Sequence, residues 1–185
     1  MSAGRLFAVV GPSGAGKDTL IDAALKARPD LVKARRVITR PEAQGGEDFE
    51  RVSGEEFETR RAAGEFALHW QAHGLRYGIP KTIDGGLSAG RGVIFNGSRA
   101  VLLWAQALYP SLSVLLVTAP VPVLARRLAG RGRETREQIE TRLTRADYDI
   151  PPGLPVQRIN NDGPLDQAVE DFLAVLEKAR GVTSL

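Results

Sequence analysis

The sequence of 185 residues contains no cysteine, which excludes disulfide bonds and thiolate metal sites and is typical of a protein in a reducing compartment. No apolar run approaches the ~20 residues that a membrane-spanning helix needs. The apolar run near the N-terminus is too short for the hydrophobic region of a cleavable signal. These absences predict a cytoplasmic protein that has no membrane partner.

A continuous basic tract is also missing. The chain carries 25 Lys and Arg residues against 22 Asp and Glu residues, a net charge of +3. The basic residues are scattered or paired rather than interleaved with aromatics, which argues against a nucleic-acid groove. We find no internal repeat. The length predicts a single domain with a sizeable core, and the sequence gives no indication of the oligomeric state.

The segment from Leu6 to Leu20 reads LFAVVGPSGAGKDTL and shows the clearest motif in the chain. An apolar run that favours a strand stops at Gly11, and apolar residues return at helical spacing from Leu20. Strand, glycine loop and helix in this order form a P-loop, whose backbone N–H groups and helix N-terminus bind phosphate. A chance glycine turn before a helix is the alternative. The intact pattern favours a binding site for a nucleoside triphosphate.

The P-loop pattern predicts both nucleotide ligands and a metal ligand. The nucleotide-binding residues are predicted to be Gly11, Pro12, Ser13, Gly14, Ala15, Gly16, Lys17, Asp18 and Thr19. Asp18 stands where a Ser or Thr hydroxyl usually binds Mg²⁺. One interpretation makes Asp18 the metal ligand, compensating for the neutral Asn96 at the end of the strand Val93–Phe95. The other has Asp18 pointing outward and serving only the helix dipole.

Apolar runs at 93–95, 113–118 and 156–160 alternate with helical patterns along the rest of the chain. This alternation is typical of a parallel sheet covered by helices on both faces. Short mixed elements from about 36 to 90 interrupt it and predict an insertion. Within the insertion, Ser53 begins a helix with capping-box spacing, and Phe66 to Tyr77 reads as two strands around a turn at His73-Gly74.

Motifs in the second quarter of the chain carry a resemblance to a known family. The segment Val37 to Pro41, with the downstream Gly46-Glu47, resembles the acceptor-phosphate loop of guanylate-kinase-like P-loop kinases. Tyr77-Gly78 resembles the phosphate-binding tyrosine of the same family. The resemblance runs over nearly the whole sequence. It implies that Arg40 and Tyr77 hold the acceptor.

The last third of the chain extends the same resemblance. The arginine-rich stretch from Arg127 to Leu143 is similar to the family's lid, which implies that Arg131 and Arg142 act with Lys17 and Mg²⁺ as catalytic charges around the transferring phosphoryl group. Asn161-Asp162 falls where the family holds the adenine end of ATP. The implied α/β fold is that of P-loop nucleoside-triphosphate hydrolases, with a core at about 1–35, 91–128 and 145–185, an acceptor-binding insertion at 36–90 and a lid at 129–144.

Departures from the guanylate kinase pattern bear on the acceptor. The glutamate that reads guanine falls on Leu68, the second acid on Ser98, and the second arginine of the phosphate loop on Ala43. A site that has lost those acceptors would leave the buried N–H groups of guanine unpaired, so it cannot select that base. We therefore expect an anionic acceptor without guanine.

Four short segments resemble a particular branch of the family. They look like segments of the ribose 1,5-bisphosphate phosphokinases, a branch associated with phosphonate use. The segments are Gly-Lys-Asp-Thr, Val-Ile-Thr-Arg, His-Gly-Leu-Arg-Tyr-Gly and Phe-Asn-Gly-Ser-Arg. The resemblance implies transfer of the ATP γ-phosphoryl to the C1 phosphate, giving 5-phosphoribosyl 1-diphosphate, with Ser98 and Arg99 among the substrate ligands. The attacking phosphate oxygen is already ionised, so no general base is required. Accordingly, neither His69 nor His73 has a visible catalytic partner.

Two other functions remain as alternatives at this point. The first is a guanylate kinase or another nucleotide monophosphate kinase with an unusual base pocket. The second is a catalytically inactive guanylate-kinase-like interaction module. The retained Gly11, Gly16 and Lys17 argue against the second, because an inactive module needs none of them. A nucleic-acid-binding ATPase is disfavoured by the scattered basic charge.

Overall fold

The computed structural model describes residues 4–41, 47–132, 134–145 and 148–181. Its strands are β1 (Arg5–Val10), β2 (Leu31–Lys33), β3 (Val37–Ile38), β4 (Glu50–Arg51), β5 (Phe66–Ala72), β6 (Leu75–Pro80), β7 (Gly92–Asn96), β8 (Ser113–Thr118) and β9 (Val156–Asn160). Its α-helices are α1 (Lys17–Ala27), α2 (Gly54–Ala62), α3 (Ile83–Ser88), α4 (Leu102–Leu108), α5 (Val121–Ala129), α6 (Arg136–Arg145) and α7 (Leu165–Gly181). A 3₁₀ turn covers Arg99–Val101.

A five-stranded sheet with the order β2-β7-β1-β8-β9 forms the centre of the fold, and all of its strand pairs are parallel. This confirms the predicted α/β architecture. β1 lies in the middle, with Val9 opposite Asn96 of β7 and Val10 opposite Leu116 of β8. The carboxyl ends of these three strands therefore meet where the glycine loop begins, the usual place for a ligand in such a sheet.

The apolar run of β1 is explained by burial on both faces. Leu6, Ala8 and Val10 pack in a cluster with residues of β5, β6 and α4, whereas Phe7 and Val9 pack in a second cluster with residues of α1 and α7. All five side chains are fully buried. A strand covered on both sides needs apolar residues at every position, which removes the alternation typical of a half-exposed strand.

A second, four-stranded sheet with the order β4-β3-β6-β5 forms within the region predicted to be an insertion. The hairpin β5–β6 turns at His73 (φ 52°) and Gly74 (φ 73°), as predicted. Ser53 caps α2 by accepting a hydrogen bond from the backbone N–H of Glu56 at 3.0 Å, which confirms the predicted helix start.

Some elements differ from the predictions. The helical pattern that follows the apolar run at 93–95 starts as a 3₁₀ turn at Arg99 and becomes α-helical at Leu102. The three-residue strand β2 was missed, because only Leu31 in it is fully buried and the pattern is too short to stand out. Among the described residues, no helix is long and apolar enough to cross a membrane.

Candidate active site

The P-loop connects β1 to α1 as a tight glycine turn. Gly16 occupies the N-cap position of α1 with φ 91°, a left-handed conformation that favours glycine. A side chain at Gly11 would collide with the carbonyl oxygen of Val117 in β8, so the loop lies against the neighbouring strand. Lys17 donates hydrogen bonds to the carbonyls of Gly11 at 2.8 Å and Pro12 at 3.1 Å, which folds its side chain back over the loop.

Two residues from the C-terminal half hold the P-loop from outside. The side-chain amide of Asn161 donates to the carbonyl of Ala15 at 2.8 Å. Arg127 donates to the carbonyls of Gly14 at 3.2 Å and Asn161 at 2.6 Å. The amide of Asn161, predicted to lie at the adenine end of ATP, is thus buried beneath the loop. Asp162 is exposed, and its contact with adenine stays a prediction.

Burial lowers the pKa of Lys17 from its usual 10.5 to about 8. Nearby positive charges on Arg36 and Arg131 lower it further, and the carboxylates of Asp18 and Glu47 oppose them. These four charged groups therefore lie within electrostatic range of the P-loop lysine. A bound triphosphate would add negative charge at the same point and stabilise the protonated amine.

Asp18 lies in the first turn of α1 and faces the end of β7. The side-chain amide of Asn96 donates to its Oδ1 at 2.9 Å. Asn96 is 7% exposed, so its amide is fixed close to the loop. Among the described residues, no group of three or more His, Cys, Asp or Glu side chains is placed to hold a metal. A single carboxylate beside a phosphate-binding loop nevertheless fits Mg²⁺, which takes one or two carboxylates and completes its shell with substrate phosphates and water.

Three side chains form a stacked arrangement on and beside the second sheet. Trp70 and Tyr77 lie opposite each other on β5 and β6, with ring centroids 5.3 Å apart and planes within 2°. The guanidinium of Arg36 lies 5.2 Å from the centroid of the Tyr77 ring. Arg36 also donates both arms of its fork to the carboxylate of Glu47, with Nε at 2.6 Å from Oε1. The sequence analysis did not identify Arg36, and the assignment of Tyr77 to the acceptor phosphate stays a prediction.

The other residues predicted to contact the acceptor lie on separate elements. Arg40 follows β3, and its guanidinium is 5.1 Å from the ring centroid of Phe49. Ser98 caps the 3₁₀ turn by accepting from the N–H of Ala100 at 3.3 Å. Leu68 is fully buried in the apolar cluster between the two sheets. The positions that correspond to the two guanine-binding acids thus hold a buried apolar side chain and a helix cap.

Tyr148, which the sequence analysis missed, contacts both Arg99 and the P-loop. The guanidinium of Arg99 is 4.8 Å from the ring centroid of Tyr148, whose hydroxyl accepts a hydrogen bond from the N–H of Gly11 at 3.1 Å. Burial raises the pKa of the Tyr148 hydroxyl, so it stays protonated at neutral pH. No local pattern around Tyr148 signals this contact, because its partner is 137 residues away in sequence.

The segment predicted to be the lid contains the end of α5, a turn and α6. α5 and α6 pack through Ala125, Leu128 and Ile139, which form a small buried cluster of their own. Arg131 lies exposed in the turn, within electrostatic range of Lys17. The side chain of Arg142, on α6, lies outside the described part of the structure, as do Ala43 and Gly46 of the predicted acceptor loop.

Comparison with known proteins identifies the family. Residues 3–179 match the model of the guanylate kinase family. The chain belongs to the guanylate kinase family. Within the family, it is 48% identical over 178 residues to ribose 1,5-bisphosphate phosphokinase PhnN of Ruegeria sp. strain TM1040, covering 96% of this chain and 94% of the relative. The corresponding PhnN of Pseudomonas fluorescens is 48% identical over 185 residues, with 95% and 96% covered.

Other relatives and structures agree with this assignment. A bifunctional ribose 1,5-bisphosphokinase-thymidine phosphorylase of Cupriavidus necator is 48% identical over 174 residues, which cover 94% of this chain but 29% of that protein. The crystal structure of guanylate kinase from Anaplasma phagocytophilum superposes with a TM-score of 0.72 at 20% identity, covering 98% of this chain and 89% of that one. At that identity the superposition shows the guanylate kinase fold alone.

Proposed function

We propose that this guanylate kinase family member is a ribose 1,5-bisphosphate phosphokinase, which transfers the γ-phosphoryl group of ATP to the C1 phosphate of ribose 1,5-bisphosphate. An oxygen of that phosphate forms the new P–O bond while the bond between the β- and γ-phosphates breaks, giving 5-phosphoribosyl 1-diphosphate and ADP. The observation that carries the proposal is that Arg36 and Arg131 lie close enough to Lys17 to lower its pKa, while Leu68 and Ser98 occupy the positions of the two guanine-binding acids.

The site supplies positive charge and positioning, which are the main requirements of phosphoryl transfer. The P-loop amides and Lys17 hold the triphosphate, and Arg131 and Arg142 approach from the lid as the reaction proceeds. Mg²⁺ would be held by Asp18, and when bound it would neutralise charge on the phosphates. Arg40, Tyr77, Ser98 and Arg99 hold the acceptor. We assign one task to each part of the chain. The core at 1–35, 91–128 and 145–185 binds the nucleotide, the insertion at 36–90 binds the acceptor, and the lid at 129–144 closes over the site.

The attacking atom needs no general base, since a sugar phosphate is ionised at neutral pH. This agrees with the surroundings of His69, whose imidazole lies 5.0 Å from the ring of Trp104 in an edge-to-face contact. Desolvation by burial lowers the pKa of His69, which keeps the ring neutral. The proposed substrates are small molecules of the cytoplasm, and the proposal involves no nucleic acid and no membrane surface.

An acceptor screen tests the proposal. The protein is incubated with ATP and Mg²⁺ and with ribose 1,5-bisphosphate, ribose 5-phosphate or guanosine monophosphate, and products are identified by mass. We expect 5-phosphoribosyl 1-diphosphate from the first acceptor alone. Efficient formation of guanosine diphosphate instead would refute the proposal and show that the protein is a guanylate kinase, the first alternative.

A further inference from the structure

Arg36 is a buried cation that no motif in the sequence assigns. Among the described residues, the buried polar or charged side chains are Arg36, Asn96, Ser113 and Asn161. Asn96 and Asn161 contact the P-loop region, and Ser113 accepts a hydrogen bond from Arg5 at 3.2 Å. Arg36 is the charged member of this set, at 8% exposure. A guanidinium is rarely buried unless a partner or a function holds it there.

The surroundings fix the plane of this guanidinium. Tyr77 lies against one face, and Trp70 stacks behind Tyr77, so the aromatic pair forms a rigid support. The edge of the fork is occupied by Glu47, whose carboxylate takes both hydrogen bonds, and both side chains of the pair are less than one-tenth exposed. A guanidinium fork binds a phosphate through the same two parallel hydrogen bonds that it makes with a carboxylate.

The Arg36–Glu47 pair lies within electrostatic range of the P-loop lysine. The P-loop lysine senses both partners, since Arg36 lowers the pKa of Lys17 and Glu47 raises it. Two other charged groups change the pKa of Lys17: Asp18 raises it and Arg131 lowers it. The buried fork of Arg36, supported by the Tyr77 ring, therefore lies within electrostatic range of the lysine that would hold the triphosphate.

We propose that Arg36 binds a phosphate of the acceptor, and that Glu47 occupies its fork as a stand-in for that phosphate in the substrate-free enzyme. The inference rests on the proposed function, because it names the residue by which the acceptor site recognises a phosphorylated sugar. The entering phosphate displaces the Glu47 carboxylate and takes over both hydrogen bonds. Until then, Glu47 keeps the buried cation paired and its support intact.

The pair also favours phosphorylated acceptors over uncharged ones. Leu68, at the position that corresponds to the base-reading glutamate, is buried in the same apolar cluster as Tyr77, so it offers no carboxylate to a guanine. An uncharged acceptor cannot displace the Glu47 carboxylate from Arg36, so it forms no hydrogen bonds with the guanidinium. An acceptor with two phosphates gains a charge-assisted, bidentate contact.

The sign of the effect of Glu47→Gln separates this proposal from a purely structural ion pair. If Glu47 competes with the acceptor, its neutralisation should lower the acceptor KM roughly threefold to tenfold, as expected when a competing like charge leaves the site, and leave the KM of ATP unchanged. If Glu47 only orients Arg36, the acceptor KM should rise, and that result would overturn the proposal. Glu65→Gln is the matched control, because Glu65 pairs with Arg60, which lies 5.4 Å from the Phe66 ring centroid outside the site.

A second measurement does not depend on turnover. Melting temperatures are recorded in saturating ADP and Mg²⁺, which occupy the P-loop, with increasing inorganic phosphate. Glu47→Gln should melt lower than wild type without phosphate, since Arg36 is left unpaired, and should recover more on its addition. The double variant R36M/E47Q removes both charges, so it should fold but lose the phosphate response and raise the acceptor KM more than about tenfold.

The two proposals fail in different ways. Absence of turnover with ribose 1,5-bisphosphate by the wild-type protein would refute the proposed function. A phosphate response that R36M/E47Q retains, or an unchanged acceptor KM in that double variant, would refute the assignment of Arg36 even if wild type makes 5-phosphoribosyl 1-diphosphate.

Discussion

Asn96 donates a hydrogen bond from its side-chain amide to the carboxylate of Asp18 across 2.9 Å. The contact joins the end of β7 to the first turn of α1, and the two residues are 78 positions apart. Both depart from the usual P-loop pattern, in which a hydroxyl follows the lysine and an acid ends the neighbouring strand. The carboxylate faces the strand end rather than pointing outward, and its role in binding a metal stays a prediction.

This relationship predicts a metal-binding role for Asp18. Asp18→Asn should raise the Mg²⁺ concentration needed for half-maximal rate, and it should weaken binding of Mn²⁺ with a non-hydrolysable ATP analogue, measured by electron paramagnetic resonance. Asn96→Asp should partly rescue both properties in the double variant, because it returns a carboxylate to the same place. Asp22→Asn on the same helix is the control, since Asp22 pairs with Lys33 on the surface. Unchanged metal titrations in Asp18→Asn would contradict the proposed metal site.

Lys17 predicts a trade-off between stability and activity. Its folded-state pKa of about 8 lies below the unfolded value of 10.5, so the unfolded chain binds the proton more tightly between these pH values. The free energy of unfolding of the ligand-free protein should therefore rise as the pH increases from about 8 to 10.5. Below pH 8, the contribution of Lys17 to stability is at its least favourable. Lys17→Met should remove the dependence and raise the melting temperature at pH 7, corresponding to roughly 1–3 kcal/mol.

The same substitution should abolish phosphoryl transfer. Loss of one charge that stabilises the transition state lowers kcat by a factor on the order of 10²–10³ or more. In the wild type, kcat/KM for ATP should fall as pH rises through about 8, because the free enzyme then loses the lysine charge. Near-normal turnover by folded Lys17→Met would refute the P-loop assignment.

The sequence predicted those parts of the site that local chemistry encodes. A strand, a glycine turn and a helix adjacent in the chain specify the P-loop, and the capping box and hairpin turn are equally local. Arg36 and Tyr148 escaped notice for a physical reason. Their roles depend on a buried ion pair with Glu47 and on a hydrogen bond to Gly11, and such long-range contacts leave no periodic pattern. Asn161 was predicted in the nucleotide site, but burial beneath Ala15 is a property of packing that its neighbours in sequence do not reveal.

The two ends of the site should respond differently to mutation. Arg40→Ala and Tyr77→Phe should raise the acceptor KM and spare that of ATP, because both are assigned to the acceptor. Tyr77→Phe keeps the ring that stacks on Trp70 and removes only the hydroxyl. Arg131→Ala and Arg142→Ala should instead lower kcat, since charges on the lid act most in the closed, reacting state.

Initial-rate measurements with each substrate varied in turn distinguish these effects. Arg136→Ala is a suitable control for the lid, because Arg136 is exposed on α6 and pairs with Glu140 at 2.9 Å. A fall in kcat for the Arg40 variant together with a raised acceptor KM for the lid variants would mean that the acceptor and lid ends have been exchanged.

Leu68 offers a test of why this family member should not use a guanine nucleotide. Leu68→Glu restores a carboxylate at the position that corresponds to the base-reading glutamate, but Leu68 is fully buried among apolar side chains. Burial there should raise the pKa of the new carboxyl and cost stability, and Ser98 would still lack the second acid. We expect a lower melting temperature, weaker use of ribose 1,5-bisphosphate and little use of guanosine monophosphate. Leu68→Met, which conserves volume, should change none of these by much. Turnover of guanosine monophosphate by Leu68→Glu at rates comparable to those of the wild type with the sugar would show that the pocket already has the shape of a purine, and that one acid was all it lacked.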